Sequence, residues 1–451
     1  MRGLAGILGL ILVIGLLGVS KPAGAATLLI ENVTIIDGTG RPAVENAHVL
    51  IDGEVIRRVG RGSYKGPKAD QTLDGAGKYL IPGLMDAHVH IRGAANFFAD
   101  NNEKKEPDWE LAGRVLHGYL YAGVTTVYDA NNLPGFIYTL RRQERAGEIT
   151  APRIFATGSA VTVPGGHGAF PGSTQIESWP AGRAALAKHL EASPDLVKLT
   201  YDEHNWGTRP LIPTFTPELL EEVIKYLNEN GLRTTIHTSN EIRAREAIYA
   251  GVDTLAHPVI QSPVSAGFVR LMAAKKVPMV STLTIGDGYS RLIERPEYLD
   301  GPLYQAIFTK KEIARLKGEV RDAFIKRPWS TWMKVMTPVA QENLRLINAA
   351  GGIIALGSDQ SNGPATHREL ELLVEAGVPA LEAIRIGTLN VAIFLGRERD
   401  MGSVEEGKLA DLVLLNSDPL ADINNAKDIH TVIKGGSIID RSALDLPVNG
   451  R

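Results

Sequence analysis

Eight short apolar or β-branched runs, separated by longer stretches with helical patterning, occupy residues 82–396, and this repetition limits the choice of fold more than any other feature. The runs are Leu84–His88, Val124–Asp129, Arg153–Thr157, Leu196–Thr200, Arg233–Thr238, Thr254–His257, Pro278–Leu283 and Ile353–Ser358. Between them, "ELAGRVLHGYLYAG", "RAALAKHLEAS", "TPELLEEVIKYLNENG", "NEIRAREAIYAG", "AGFVRLMAAKK" and "TPVAQENLRLINAAGG" read as helices, several of them ending at glycine. Strands alternating with helices predict a parallel sheet. Eight such units favour a closed (β/α)8 TIM barrel over an open sheet, because closure leaves no strand edge.

Residues 26–81 and 397–451 have another texture. "TLLIENVTIIDGTG" and "AHVLIDGEVIRRVG" near the start, and "KLADLVLLNSDPL" and "IHTVIKGGSIID" near the end, are β-patterned runs broken by turn residues. Both ends are therefore expected in one small β-sandwich that the barrel interrupts. Residues 285–336 form an insertion after the seventh run, rich in charge and aromatics and longer than an ordinary βα loop. It is expected either to cover the barrel mouth or to be a helical surface excursion.

The first 25 residues are set apart from the fold. Arg2, the uncharged apolar run Leu4–Val19 and the small residues Ala23-Gly24-Ala25 have the order of an export signal cut after Ala25, which predicts a periplasmic or secreted product. The alternative, a retained anchor, is disfavoured by length: 16 residues rise about 24 Å as a helix, short of a hydrocarbon core of roughly 30 Å. The chain has no cysteine, so thiolate ligands and thiol nucleophiles are excluded. With 51 acidic and 48 basic residues it has no net field that would draw in nucleic acid, and no stable membrane insertion is expected once the leader is gone. A homo-oligomer is compatible with this sequence.

A barrel gathers the C-terminal ends of its strands around one opening. That would bring together His88 and His90 after the first run, Lys198 in the fourth, His237 in the fifth, His257 in the sixth and Asp359 just past the eighth. Two histidines on either side of Val89 in "DAHVH" point the same way from an extended segment, so both imidazoles can face one ion. A nitrogen and carboxylate donor set suits zinc, manganese, iron, cobalt or nickel better than calcium. Lys198 in "PDLVKLT" would carry a costly buried charge. Either Asp202 or Glu203 pairs with it, or it reacts with carbon dioxide to give an anionic carbamate able to bridge two ions. Divalent ions would lower the pKa of a water and polarise a carbonyl, with Asp359 carrying the proton to the leaving group.

Through "PGLMDAHVH" (82–90), "VKLT" (197–200), "TIHTS" (235–239), "LAHP" (255–258) and "ALGSDQ" (355–360), the chain resembles the amidohydrolase superfamily, most of all its imidazolonepropionase-like, metal-dependent peptidase branch (Xaa-Pro dipeptidase-like). The resemblance covers nearly everything after the leader. It implies two divalent ions, taken as Zn2+, with His88, His90 and Asp359 on the more buried one and His237 and His257 on the other. It makes Lys198 the N6-carboxylated bridge. The mononuclear deaminase pattern would place a glutamate three residues after the fifth-strand histidine, where this chain has Asn240 and then Glu241.

The implied activity is hydrolysis of an amide bond in a dipeptide or N-acyl amino acid by a metal-bridging hydroxide. A lactonase, esterase or phosphotriesterase would use the same centre, and a metal-containing binding module is the non-enzymatic alternative. For substrate contacts the loops offer His167 in "VPGGHGAF", Tyr201 and His204 after Lys198, and more remotely Tyr289 and Arg291 in the insertion. His117 and His189 fall in helical patterns and are expected to pack or lie at the surface, whereas His367, which begins the helix after the eighth run, is expected either to touch a loop or ligand near the mouth or to cap or pack.

Overall fold

Short strands, many buried on both faces, make up the two sheet systems of this computed structural model, which describes residues 26–93, 106–204, 206 and 211–450. The expected leader, residues 1–25, lies outside them.

The N-terminal region supplies β1 (Thr27–Ile35), β2 (Val44–Asp52), β3 (Val55–Arg61), β4 (Gln71–Asp74) and β5 (Tyr79–Pro82). After Gly83 the chain enters β6 (Leu84–Val89), β7 (Val124–Asp129) and β8 (Arg153–Ala156), then the two-residue pieces β9 (Val161–Thr162) and β10 (Thr174–Gln175). β11 (Val197–Thr200), β12 (Thr234–His237), β13 (Thr254–Leu255), β14 (Met279–Val280) and β15 (Ile354–Ala355) follow. β16 (Leu412–Leu415), β17 (Ile429–Lys434) and β18 (Ser437–Ile438) complete the strands among the described residues.

All eight runs read from the sequence form parallel strands. β6, β7 and β8 pair in that order, and β11 through β15 pair in sequence, with β9 beside β11. Two joints close the ring. At one, the Ala87 N–H donates to Leu356 O at 2.8 Å, and Val89 bridges Gln360 in parallel. At the other, Asp195 N–H donates to Ala156 O at 3.0 Å and Lys198 N–H to the Thr157 hydroxyl at 2.9 Å. Complete burial of β6, β7, β11 and β12 explains why these runs are nearly continuous in β-branched and apolar residues.

Helix starts obey local chemistry. Thr216, Asn240 and Ser265 cap Pro217–Glu229, Glu241–Tyr249 and Ala266–Lys275 by accepting the N–H of Leu219, Arg243 and Phe268. Each such cap is worth about 1 kcal/mol.

The flanking sheet runs β18-β17-β16-β5-β1-β2-β3, with β4 beside β1, so both chain ends contribute as expected. Its central seam pairs β5 antiparallel with β16, from Pro82 opposite Leu412 to Tyr79 opposite Leu415. Alternation decides where the side chains go. Leu80, Leu412 and Leu414 fill a small core with Ile30, Val49 and Ile433, whereas Ile81, Val413 and Leu415 join the large core of the barrel. The sheet is thereby bonded on one face to its own interior and on the other to the barrel.

The insertion is helical. Leu283–Glu294 and Pro328–Ala349 bracket Pro302–Ile307, Lys310–Arg315 and Arg321–Ile325, around a small core of Leu292, Leu299 and Ile313. Buried Arg368, from the helix Gly363–Glu375, clamps it by two 3.0 Å bonds to the Asp287 carboxylate.

Candidate metal centre

At the C-terminal rim the barrel brings His88, His90, Lys198, His237, His257 and Asp359 to one place. His90 Nε2 lies 3.1 Å and His88 Nε2 3.7 Å from Asp359 Oδ1. Lys198 Nζ is 3.4 Å from His88 Nε2, and His257 Nδ1 is 4.0 Å from Asp359 Oδ2. The His257 ring centroid lies 4.6 Å from those of both His88 and His237. His88, His90 and Asp359 each offer a ligand atom within 4.8 Å of the others, a cluster able to hold a metal ion.

What the rings do with their other nitrogen tests whether this donor set suits a metal. His88 Nδ1–H donates to Ala256 O at 3.1 Å, and His90 Nδ1–H to Asn131 O at 2.9 Å. His237 Nε2–H donates to the Asp202 carboxylate at 3.0 Å. A carbonyl or carboxylate partner can only accept, so each of these nitrogens carries the proton, and in neutral His88 and His237 the opposite nitrogen keeps its lone pair, while His90 Nε2 faces the Asp359 carboxylate. His257 Nδ1 is held by the Thr282 hydroxyl at 3.0 Å. Imidazoles each fixed by an outer oxygen are what metal ligation requires. His237 and His257 bring two nitrogens but no carboxylate of their own, so a second ion there would need another oxygen donor.

Electrostatics agree. Burial pushes His88 and His257 well below the usual imidazole range and lowers His237 despite Asp202, which keeps all three neutral. On His90, burial is outweighed by the bonded Asp359, and the net shift is upward. Burial acts to raise Asp359 as well, yet His88, His90 and Lys198 hold it well below the usual carboxylate range. Lys198 is pushed down to about 7 by burial, with Asp359 opposing. Three residues at this rim occupy left-handed backbone: Asp359 at φ 51°, Trp206 at φ 69° and Thr282 at φ 31°, the last unusual for a β-branched residue. The Asp359 N–H donates to His88 O at 2.7 Å, which locks the ligand loop to the first strand.

The pairing of Lys198 with Asp202 or Glu203, one of the two readings of the sequence, does not form. Asp202 is spent on His237, and Glu203 binds Arg243 through two bonds of 2.8 and 3.0 Å.

The substrate-contact candidates separate. His167 stacks on His237 at 4.0 Å and 15°, inside the cluster. Tyr201 is buried with its hydroxyl on Glu246 at 2.8 Å and Arg243 at 2.7 Å, on the strand-five helix rather than among the ligands. His204 is half-buried, 3.6 Å from Glu203. Tyr289 packs on Phe324 and nears Trp329, and the Arg291 guanidinium covers the Tyr298 ring at 4.1 Å, within the insertion. His367 bonds Ala122 O, His117 accepts from the Asp445 N–H, and His189 bonds the Thr174 hydroxyl.

Unexpected participants are Asp202, Thr282 and Trp206. The Trp206 ring lies edge-on to His237 and His257, 4.7 Å from each, and its carbonyl accepts from Trp332 Nε1 of the insertion at 3.0 Å. The insertion thus reaches the wall of the centre.

A closed parallel barrel whose rim gathers oriented imidazoles, three of them held neutral, around an ionised carboxylate defines a metal-dependent hydrolase acting on small substrates. The chain belongs to the amidohydrolase family, whose model matches residues 79–439. It is similar to the ochratoxinase of Aspergillus niger, 24% identical over 441 residues covering 90% of this chain and 85% of that one. A 5-methylthioadenosine/S-adenosylhomocysteine deaminase of Syntrophomonas wolfei is 24% identical over 458 residues, covering 91% and 93%. A crystal structure of a Xaa-Pro dipeptidase with bound methionine shares the fold at a TM-score of 0.73 and 24% identity, covering 92% of this chain and all of that one. At the position where the deaminase pattern calls for glutamate, Asn240 accepts the Arg243 N–H as a helix cap, and Glu241 turns to Arg245 and Ser265.

Proposed function

We propose that the protein hydrolyses an amide bond in a dipeptide or N-acyl amino acid, using two divalent ions, taken as zinc, and a carboxylated Lys198. The observation that carries this reading is the buried lysine amine among four outward-anchored histidines and Asp359. Two divalent ions need anionic ligands, and only Asp359 supplies one in this set. Near pH 7 burial leaves much of the Lys198 amine unprotonated. The amine adds to carbon dioxide, releasing one proton and leaving a carbamate with two oxygens. That product serves the two-histidine side, which lacks a carboxylate.

When bound, the ions supply Lewis acidity and a water of lowered pKa. His88, His90 and Asp359 would hold one, His237 and His257 the other, with Lys198 between. Asp359, kept ionised, takes the proton of the attacking water and passes it to the departing amide nitrogen. Trp206 excludes solvent from the side of His237 and His257, which strengthens these charge interactions. A dipeptidase among the proteins sharing this fold supports an amide substrate. Asn240, a cap without acidity, weighs against deamination.

The test is metal analysis with a rate panel of Xaa-Pro dipeptides, N-acyl amino acids, lactones, aryl esters and phosphotriesters. Two ions per chain and highest kcat/KM on an amide are expected. Failure to retain metal from metal-supplemented, chelator-free buffer, or a preference for lactones or phosphotriesters, would refute it. Residues 1–25 are proposed to direct export, giving a mature chain that begins at Ala26.

A further inference from the structure

His88 and His90 are anchored by backbone carbonyls, which no side-chain substitution removes; His237 and His257 instead depend on the side chains of Asp202 and Thr282. The two halves of the centre are therefore unequally exposed to change. Asp202 is fully buried and three donors converge on it. Its Oδ2 accepts from His237 Nε2 and from the Trp206 N–H, each at 3.0 Å, while Oδ1 accepts from the His204 N–H at 3.0 Å.

One carboxylate thus does two things. It leaves the His237 lone pair on Nδ1, and it places the backbone of Trp206, whose ring abuts both His237 and His257. His167 covers one face of the same imidazole, so His237 is bounded by Asp202, His167 and Trp206 together. A buried carboxylate that only closed its own loop would need the two amides and not the imidazole.

We propose that Asp202 is a positioning residue for the metal held by His237 and His257: it fixes the Nε2–H tautomer of His237 and seats Trp206 against both rings. This deepens the two-ion reading and rests on it. The roles divide so that loss of the Asp202 charge weakens one ion and spares the other. Asparagine at 202 has a single acceptor for three donors. If its oxygen takes the place of Oδ1, its –NH2 meets the Trp206 N–H and His237 Nε2 and drives the ring proton to Nδ1, the nitrogen a metal would need; if its oxygen takes the place of Oδ2, the bond to His237 survives without the charge that polarises the ring and the His204 N–H loses its acceptor.

The experiment is zinc titration of metal-stripped wild-type protein, Asp202→Asn and Asp202→Glu, with long-range 1H–15N spectra of metal-free, 15N-histidine-labelled wild type. Wild type should bind two zinc ions, and Asp202→Asn should bind one with unchanged affinity and the other about 10–100-fold more weakly. Asp202→Glu, which keeps the charge on a longer arm, should recover part of that loss. Unchanged affinity at both positions in Asp202→Asn, or equal weakening at both, overturns the assignment. If wild type takes up fewer than two ions, the two-ion reading falls and this proposal with it. The spectra decide independently of any variant's folding: His237 protonated at Nε2 supports the role of Asp202, and protonation at Nδ1 overturns it alone.

Discussion

Replacing Lys198 with methionine should stabilise the metal-free protein at pH 7 while destroying its capacity for a full metal complement. The lysine is 4% exposed, and burial takes its pKa from 10.5 to about 7. That displacement corresponds to about 5 kcal/mol as an upper bound, at about 1.4 kcal/mol per pH unit. The unfolded chain holds this proton up to pH 10.5, whereas the folded one releases it near 7. The penalty is therefore complete below pH 7, shrinks as pH rises, and vanishes above 10.5. Methionine fills a similar volume with no charge to desolvate. For a chain of this length the unfolding entropy is about 0.9 kcal/mol/K, so the variant should melt up to about 5 °C higher at pH 7. Thermal melts of both metal-stripped proteins at pH 7 and pH 10 provide the assay, with a gap at pH 7 that nearly closes at pH 10. A variant melting at or below wild type at pH 7, or a gap indifferent to pH, would refute the claim that burial of the amine, outweighing His88 and Asp359 beside it, governs this residue.

Asp359→Asn keeps the shape of the residue and removes its basicity, so kcat should fall by about 10²–10⁴-fold while the ion at His237 and His257 stays bound; steady-state kinetics with elemental analysis would check it. Glu369 tests burial elsewhere: its carboxyl accepts the N–H groups of Leu283 and Thr284 at 2.7 and 2.8 Å, and burial raises its pKa from 4.5 to about 7. The stabilisation from its bound proton is complete below 4.5 and lost as pH rises through about 7, so relative to Glu369→Gln the wild type should lose roughly 3 kcal/mol across that window, read by denaturant unfolding.

Much of this was legible because it follows from period and spacing. The eight strands repeat, and a histidine or carboxylate at the end of a barrel strand has one rim to occupy, so His88, His90, His237, His257 and Asp359 converge as expected. Ring orientation was not legible, since Ala256 and Asn131 act through carbonyls that any residue carries. Asp202 was visible as a carboxylate near Lys198, but one loop residue decides whether a side chain meets the lysine or His237. Tyr201 illustrates the same difficulty: sequence places it beside the rim, while Arg243 and Glu246 on the next helix draw its hydroxyl away. β9 escaped notice because a two-residue strand has no period.

The seam between Tyr79–Pro82 and Leu412–Leu415 joins segments more than three hundred residues apart. On a ribosome adding about 5–20 residues per second, the first of these strands waits roughly 15–65 s for its mate. During that interval the N-terminal hairpins present an apolar, unpaired margin to whatever is nearby. Residues made late are therefore the ones that shield residues made early, and a nascent chain stopped before Leu412 is a species prone to sticking to its neighbours.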